Sequence, residues 1–178
     1  PSGAGKTTIV NHLLKKGLGL EFSVSATTRE PRGKEKNGKE YYFISVGDFK
    51  ERIKNNEFAE WQEVYNNQFY GTLKSEIERI WSDKKHVLFD VDVKGGINLK
   101  NIFGNKAISI FIMPPSINEL EKRLLRRAID DSSKIKIRIE KAKEEMKLAD
   151  RFDHIVINNI LEQAQDEAYE MVKSFLST

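Results

Sequence analysis

Hydrophobic and polar positions follow two alternating rhythms along the chain, and the changes of rhythm predict helices interleaved with short strands, an α/β pattern. Ile9, Val10, Leu13 and Leu14 share one helical face, and Gly17 is the predicted stop. Tyr41 to Val46 reads as a short extended run. Ser45 and Asp48 then have capping-box-like spacing ahead of a helix carrying Phe49 and Ile53. A helix over about 73–81 would bury Leu73, Ile77, Ile80 and Trp81. Val87 to Val93 alternates with a period of two, with Val87, Phe89, Val91 and Val93 on one side and Leu88, Asp90 and Asp92 on the other. Ala107 to Ile112 is a further predicted strand, closed by Pro114 and Pro115. Ser116 with Glu119 forms a capping box before an Ile117, Leu120 and Leu124 stripe. Ile135, Ile139, Ala142 and Met146 keep helical spacing, His154 to Ile157 is a last strand, and Leu161 to Phe175 a terminal helix. The segments 21–71 and 129–151 fit this alternation worst and are expected to be inserted lobes.

Composition narrows the chemistry. With 178 residues, 39% hydrophobic and 32% charged, the chain has the balance of one globular domain. Its apolar runs, such as Ile108 to Met113, are far short of a membrane span, and no secretory leader pattern is visible. The expectation is a cytoplasmic protein with no membrane partner. Cysteine is absent, which removes disulfides, thiolate zinc sites and cysteine nucleophiles. The three histidines, His12, His86 and His154, have no metal-ligand spacing. A net charge of +3 gives no reason to expect a nucleic-acid partner.

The strongest local signal lies at Pro1-Ser2-Gly3-Ala4-Gly5-Lys6-Thr7-Thr8, directly before the first helix. This is the phosphate-loop pattern G-x-x-x-x-G-K-[ST] without its first glycine. The pattern leads us to expect an apolar strand ending in Gly ahead of Pro1. Backbone N–H groups of Ser2 to Thr8 would cradle a β-phosphate at the positive end of the helix. Lys6 would reach the β/γ-phosphates, and the Thr7 hydroxyl would ligate Mg²⁺.

A second anion receptor is legible in Ser23-Val24-Ser25-Ala26-Thr27-Thr28-Arg29-Glu30-Pro31-Arg32-Gly33, which continues through Gly38 to Tyr41-Tyr42-Phe43. Two guanidinium forks and a phenol converging on one point suit a phosphate dianion.

The phosphate loop, Ser-x-Thr-Thr-Arg-x-Pro-Arg, Tyr70-Gly71-Thr72 and Asp90-x-Asp92-x-x-Gly95 occur together in an order and spacing that resembles guanylate kinase over essentially the whole chain. The resemblance implies an α/β fold, a P-loop NTPase three-layer parallel-sheet core with a GMP-binding lobe and a helical lid. The core would comprise 1–22, 73–116 and 148–178, the GMP-binding lobe 23–72 and the lid 117–147. It implies ATP-dependent, Mg²⁺-assisted phosphorylation of GMP to GDP, with GMP and ATP as the partners of a monomer or homodimer. Arg29, Arg32, Tyr41 and Tyr70 match the residues gripping the GMP phosphate. Ser25, Glu60, Thr72 and Asp90 match those reading guanine.

Chemistry supports those matches. Guanine presents N1–H and a 2-amino group, so its reader needs carboxylate acceptors, which Glu60 and Asp90 supply, while a Thr72 hydroxyl can donate to O6. The stretch from Glu60 to Tyr70 is one residue longer than the family pattern, which leaves both Glu60 and Glu63 eligible as base reader. Asp92 is open to a structural ion pair or an outer role near Mg²⁺. Asn158-Asn159 stands where the family has Asn-Asp, near the expected adenine pocket.

In the lid, Arg127 and Arg138 match the family's arginines best and Arg123 less closely, with Arg126 adjacent. ATP and GMP together carry roughly six negative charges, and lid arginines would neutralise what Lys6 and Mg²⁺ leave. Lys6, Arg127 and Arg138 are therefore the expected catalytic residues, with Arg127 also on ATP and Arg138 also on GMP. Both lobes are expected to move inward on binding substrate. Two rivals follow from the same residues: a guanylate-kinase-like module that binds phosphopeptides, and a kinase for AMP or dTMP.

Overall fold

In chain order the elements are α1 (Lys6–Leu14), β1 (Leu20–Phe22), β2 (Ala26–Thr27), β3 (Tyr42–Phe43), α2 (Val46–Lys54), β4 (Phe58–Tyr65), β5 (Gln68–Leu73), α3 (Lys74–Ser82), β6 (His86–Leu88), α4 (Val93–Phe103), β7 (Ile110–Met113), α5 (Ile117–Arg126), α6 (Ser132–Met146), β8 (His154–Ile157) and α7 (Leu161–Leu176). The computed structural model describes residues 1–126 and 132–177, and Arg127 lies outside them. The chain forms two compact units, Pro1–Leu18 with Lys100–Thr178, and Gly19–Leu99.

In the Gly19–Leu99 unit, β1 pairs with β6 in parallel, and a four-stranded sheet runs β3-β2-β5-β4. Its hairpin β4–β5 closes through a two-residue turn in which Asn67 takes a left-handed φ of 56°. One face of this sheet packs on α2. Ala26, Phe49, Phe58, Phe69 and Leu73 form the buried cluster, and the Phe49 and Phe58 rings stack with centroids 4.4 Å apart. Loss of a buried ring such as Phe49 would cost about 3–5 kcal/mol. The expected Ser45 cap is present, its Oγ accepting from Asp48 N–H at 3.0 Å.

The hairpin register explains how an acid reaches the other face. Phe58 pairs with Leu73, but the next pair is Glu60 with Thr72, so the strand is irregular at Ala59. With unbroken alternation Phe58 and Glu60 would share a face. The irregularity turns Glu60 away from the phenylalanine cluster toward Thr72, as bulges commonly do beside functional sites. A second irregularity, between Glu63 and Tyr65, takes up another extra residue near the turn.

Buried Glu76 on α3 ties the sheet together. It accepts from Val24 N–H at 3.2 Å and from the Tyr42 hydroxyl at 3.0 Å, and pairs with Arg79. Burial alone would raise its pKa, but Arg79, the Val24 amide and the Tyr42 hydroxyl outweigh burial and hold it below the ordinary carboxylate value.

In the other unit, β7 and β8 pair in parallel from Ile110 with His154 to Met113 with Ile157. Helices α5 and α6 close over Leu120, Leu124, Ile135, Ile139 and Ala142. The Ser116 cap is made, its Oγ accepting from Glu119 N–H at 3.1 Å. No helix among the described residues is long and apolar enough to cross a membrane.

Two expectations differ from the structure: Trp81 of α3 is exposed rather than buried, and one expected strand ends early. The alternating run from Val87 to Val93 is a strand only to Leu88, and Val93 opens helix α4. Asp92 is the reason: its Oδ1 accepts from Gly95 N–H at 2.8 Å, and its carbonyl accepts from Gly96 N–H at 2.9 Å. That is a helix N-cap, and it overrides the strand-like pattern.

Candidate functional site

The phosphate loop enters α1 at Gly5, whose φ of 97° lies in the left-handed region open to glycine. Helix α1 carries neither a side-chain cap nor an acidic residue in its first turn. With neither present, the partial positive charge of the helix start faces the loop without a side-chain anion of its own to offset it, which favours an anionic ligand there. Lys6 lies across the loop, its Nζ donating to the Pro1 carbonyl at 2.9 Å. Thr7 and Thr8 are exposed in the first turn, and Ala4 is fully buried behind it. Ser2 accepts a hydrogen bond from Arg138 Nη2, so α6 delivers Arg138 to the loop within one unit.

Asn158 braces the loop from beneath. It is 4% exposed, and its Nδ2 donates to the Ala4 carbonyl at 2.8 Å. A Cβ on Gly5 would lie 2.2 Å from that nitrogen, so only glycine fits there. Arg123 reaches the same residue, its Nη2 donating to the Asn158 carbonyl at 3.0 Å while its Nε donates to Glu119 at 3.2 Å.

In the Gly19–Leu99 unit, strands β2, β3 and β5 assemble the second receptor. Arg29 is 9% exposed and forms a two-pronged pair with Glu35, Nη1 to Oε2 at 2.7 Å and Nη2 to Oε1 at 2.8 Å. Its guanidinium lies over the Tyr41 ring, 4.8 Å from the centroid. Tyr41 meets Tyr70 edge-on at 5.9 Å. Arg32 is tied by its main chain, its N–H donating to Glu35 Oε2 at 2.8 Å. Burial lowers the affinity of Arg29 for its proton, but the Glu35 bonds outweigh this and the net shift is upward. Burial, with Asp90 and Tyr70 adding to it, pushes the Tyr41 hydroxyl up to about 12, so it remains a donor at neutral pH.

Glu60, on β4 of the same sheet, is the buried carboxylate expected from the sequence. It is 8% exposed, and its Oε1 accepts from the Thr72 hydroxyl at 2.8 Å. A Cβ on Gly95 would come within 2.9 Å of Glu60 Oε2 and 3.1 Å of Asp92 Oδ1, so the absent side chain at Gly95 makes room for both acids. Burial raises the Glu60 pKa to about 7, with the Asp92 charge adding to the rise and the Thr72 bond opposing it. Glu63 has a different position: it is exposed at the hairpin end and accepts from Asn67 N–H at 2.8 Å. Ser25 is buried beside β2, and Asp90 is half-buried just ahead of Asp92.

The described residues hold no group of three or more histidines or acids placed to bind a metal ion. The Thr7 hydroxyl at the loop is an oxygen donor of the kind that suits a divalent ion held chiefly by nucleotide phosphates.

Sequence reasoning missed Glu35 and the bracing role of Asn158. Glu35 sits three residues after Arg32 in a loop that also contains Glu30 and Glu40, so nothing but geometry separates it from solvated acids. Asn158 is remote in sequence from the loop it touches.

A glycine-punctuated loop at a helix start without a side-chain cap, in an α/β fold that also carries a buried arginine and a buried acid, is the pattern of a P-loop phosphotransferase. The guanylate kinase model matches residues 1–178, and the chain belongs to that family of kinases. It is 50% identical over 176 residues to the guanylate kinase of Bacteroides fragilis, covering 99% of this chain and 86% of that one. It is 44% identical over 178 residues to the Salinibacter ruber guanylate kinase, covering all of this chain and 94% of the other. Among solved structures, guanylate kinase from Anaplasma phagocytophilum matches with a TM-score of 0.80 and 29% identity, over 96% of this chain and 81% of that one.

Proposed function

We propose that this chain transfers the γ-phosphoryl group of ATP to GMP, giving ADP and GDP. The observation that carries the choice of acceptor is Glu60, a buried acid bonded to Thr72 and facing away from the apolar cluster. A buried carboxylate with no ion pair among the described residues wants donors, and guanine offers N1–H and the 2-amino group. Adenine offers neither donor on the corresponding edge and would leave the acid unpaired, a mismatch worth roughly 10⁴-fold in sites of this kind.

In this reading Glu60 and Asp90 accept from guanine, Thr72 turns its one hydroxyl proton from Glu60 to O6 as the base enters, and Ser25 completes the base pocket. Glu63, at the exposed hairpin end, is not the reader. Arg29, Arg32, Tyr41 and Tyr70 hold the GMP phosphate, and Arg138 joins them from the lid. The main chain from Ser2 to Thr8 holds the ATP phosphates, with Lys6 on the β/γ pair and Arg127 on the developing charge. The Thr7 hydroxyl and the nucleotide phosphates would hold Mg²⁺, which would supply further charge neutralisation.

A GMP phosphate oxygen attacks the γ-phosphorus, and the bond from that phosphorus to the β,γ-bridging oxygen breaks as ADP leaves. The attacking group has a second pKa of about 6 and is largely ionised at neutral pH, so the chain needs no general base. The three-part division into core (1–22, 73–116, 148–178), GMP-binding lobe (23–72) and lid (117–147) belongs to this proposal, with both lobes closing to exclude water. The enzyme is expected in the cytoplasm as a monomer or homodimer.

A coupled assay of ADP release with GMP, IMP, AMP and dTMP tests the proposal. GMP is expected to be preferred over AMP by orders of magnitude. Equal turnover of AMP would refute the role of Glu60, and no turnover of any acceptor would favour a phosphopeptide-binding module.

A further inference from the structure

We propose that Glu35 is a positioning residue that aims Arg29 at the phosphate of the acceptor nucleotide. The proposal rests on the GMP kinase reading and adds to it a residue that touches neither substrate.

A guanidinium has five N–H groups. Two of them, one on Nη1 and one on Nη2, form the end-on edge, and both go to Glu35 at 2.7 and 2.8 Å. The second Nη1–H goes to the Glu30 carbonyl at 2.9 Å. The two that remain, Nε–H and the second Nη2–H, make no hydrogen bond among the described residues. They are parallel and lie on one edge, the side-on fork that matches two oxygens of a phosphate.

Glu35 thus engages Arg29 without using the edge a dianion needs. The same carboxylate takes Arg32 N–H on Oε2 at 2.8 Å, which fixes the turn carrying both arginines. The Tyr41 ring under the guanidinium removes the remaining freedom to tilt. An internal anion that merely stood in for phosphate would act oppositely: it would compete with the substrate, and its removal would tighten binding. The Arg29 attraction also holds Glu35 below the usual carboxylate range, so the brace persists through neutral pH.

Steady-state kinetics of the full chain test this with Glu35→Gln, Glu35→Asp, Arg29→Lys and the double variant Glu35→Gln with Arg29→Lys. Loss of a brace should raise KM for GMP about tenfold in Glu35→Gln, leaving KM for ATP, the GMP-to-IMP preference and the melting temperature close to wild type. Glu35→Asp, which keeps the charge with a shorter reach, should fall between. If Glu35 acts through Arg29, then Glu35→Gln should cost little once Arg29 is Lys. An unchanged or lowered KM for GMP overturns the proposal. So does a joint rise of both KM values with a lower melting temperature, or an undiminished cost in the Arg29→Lys background. A wild-type chain that turns over ATP with another acceptor but not GMP refutes the kinase reading itself, and the proposal with it.

Discussion

Replacing Glu60 with Gln should make the protein more stable and a worse enzyme, and the two effects have one cause. Burial raises the Glu60 pKa from 4.5 to about 7. The sign follows from linkage: a carboxyl whose folded pKa is raised binds its proton more tightly in the native state than in the unfolded chain. The associated penalty is absent below pH 4.5, grows as pH rises, and is complete above about 7. That rise corresponds to a ceiling of about 3 kcal/mol. Gln keeps an oxygen for the Thr72 hydroxyl and carries no charge, so it escapes the penalty. For a chain of this size the ceiling is a rise in melting temperature of about 6–12 °C at pH 8, shrinking toward zero near pH 4.5. Urea denaturation at the two pH values measures it directly. In parallel, an amide donor would face the guanine donors, and kcat/KM for GMP should fall roughly 100-fold or more. A Gln variant that is destabilised equally at both pH values would refute the reasoning, because Glu60 would then be a structural anchor. Unchanged GMP selectivity would shift base reading to Glu63.

Two further outcomes concern the phosphate loop. Lys6→Met should lower kcat by about 10²–10³ while leaving GMP affinity, measured by calorimetry, near wild type, since the lost charge acts on the transferring group. Asn158→Ala removes the brace on the Ala4 carbonyl and should raise KM for ATP several-fold with GMP affinity unchanged; equal losses for both nucleotides would contradict a local role.

Much of the architecture was legible because periodicity and caps agreed. Ser45 and Ser116 cap α2 and α5 as their spacing predicts, and β8 spans His154 to Ile157 as read. The strand over Val87 to Val93 failed where a short polar side chain outvoted an alternating pattern: Asp92 starts a helix, and the Gly95-Gly96 pair hid its helical character. The β4–β5 hairpin was not anticipated, because its bulges interrupt the alternation that marks a strand. Between those bulges the register from Glu60 to Glu63 is unbroken, so alternation sets the two acids on opposite faces, which no residue count shows before the strand is known. The site was legible where the chemistry is contiguous, in Gly5-Lys6-Thr7 and Arg29-Glu30-Pro31-Arg32. It was opaque where contacts bridge long separations, as Asn158 does with Ala4.

A crystal structure with GMP bound is the most direct test of the account. The expected result has guanine N1–H and the 2-amino group on the carboxylates of Glu60 and Asp90, and the phosphate on the Nε and Nη2 fork of Arg29 beside Tyr41. Guanine bound at Glu63, or a phosphate held away from Arg29, would contradict it.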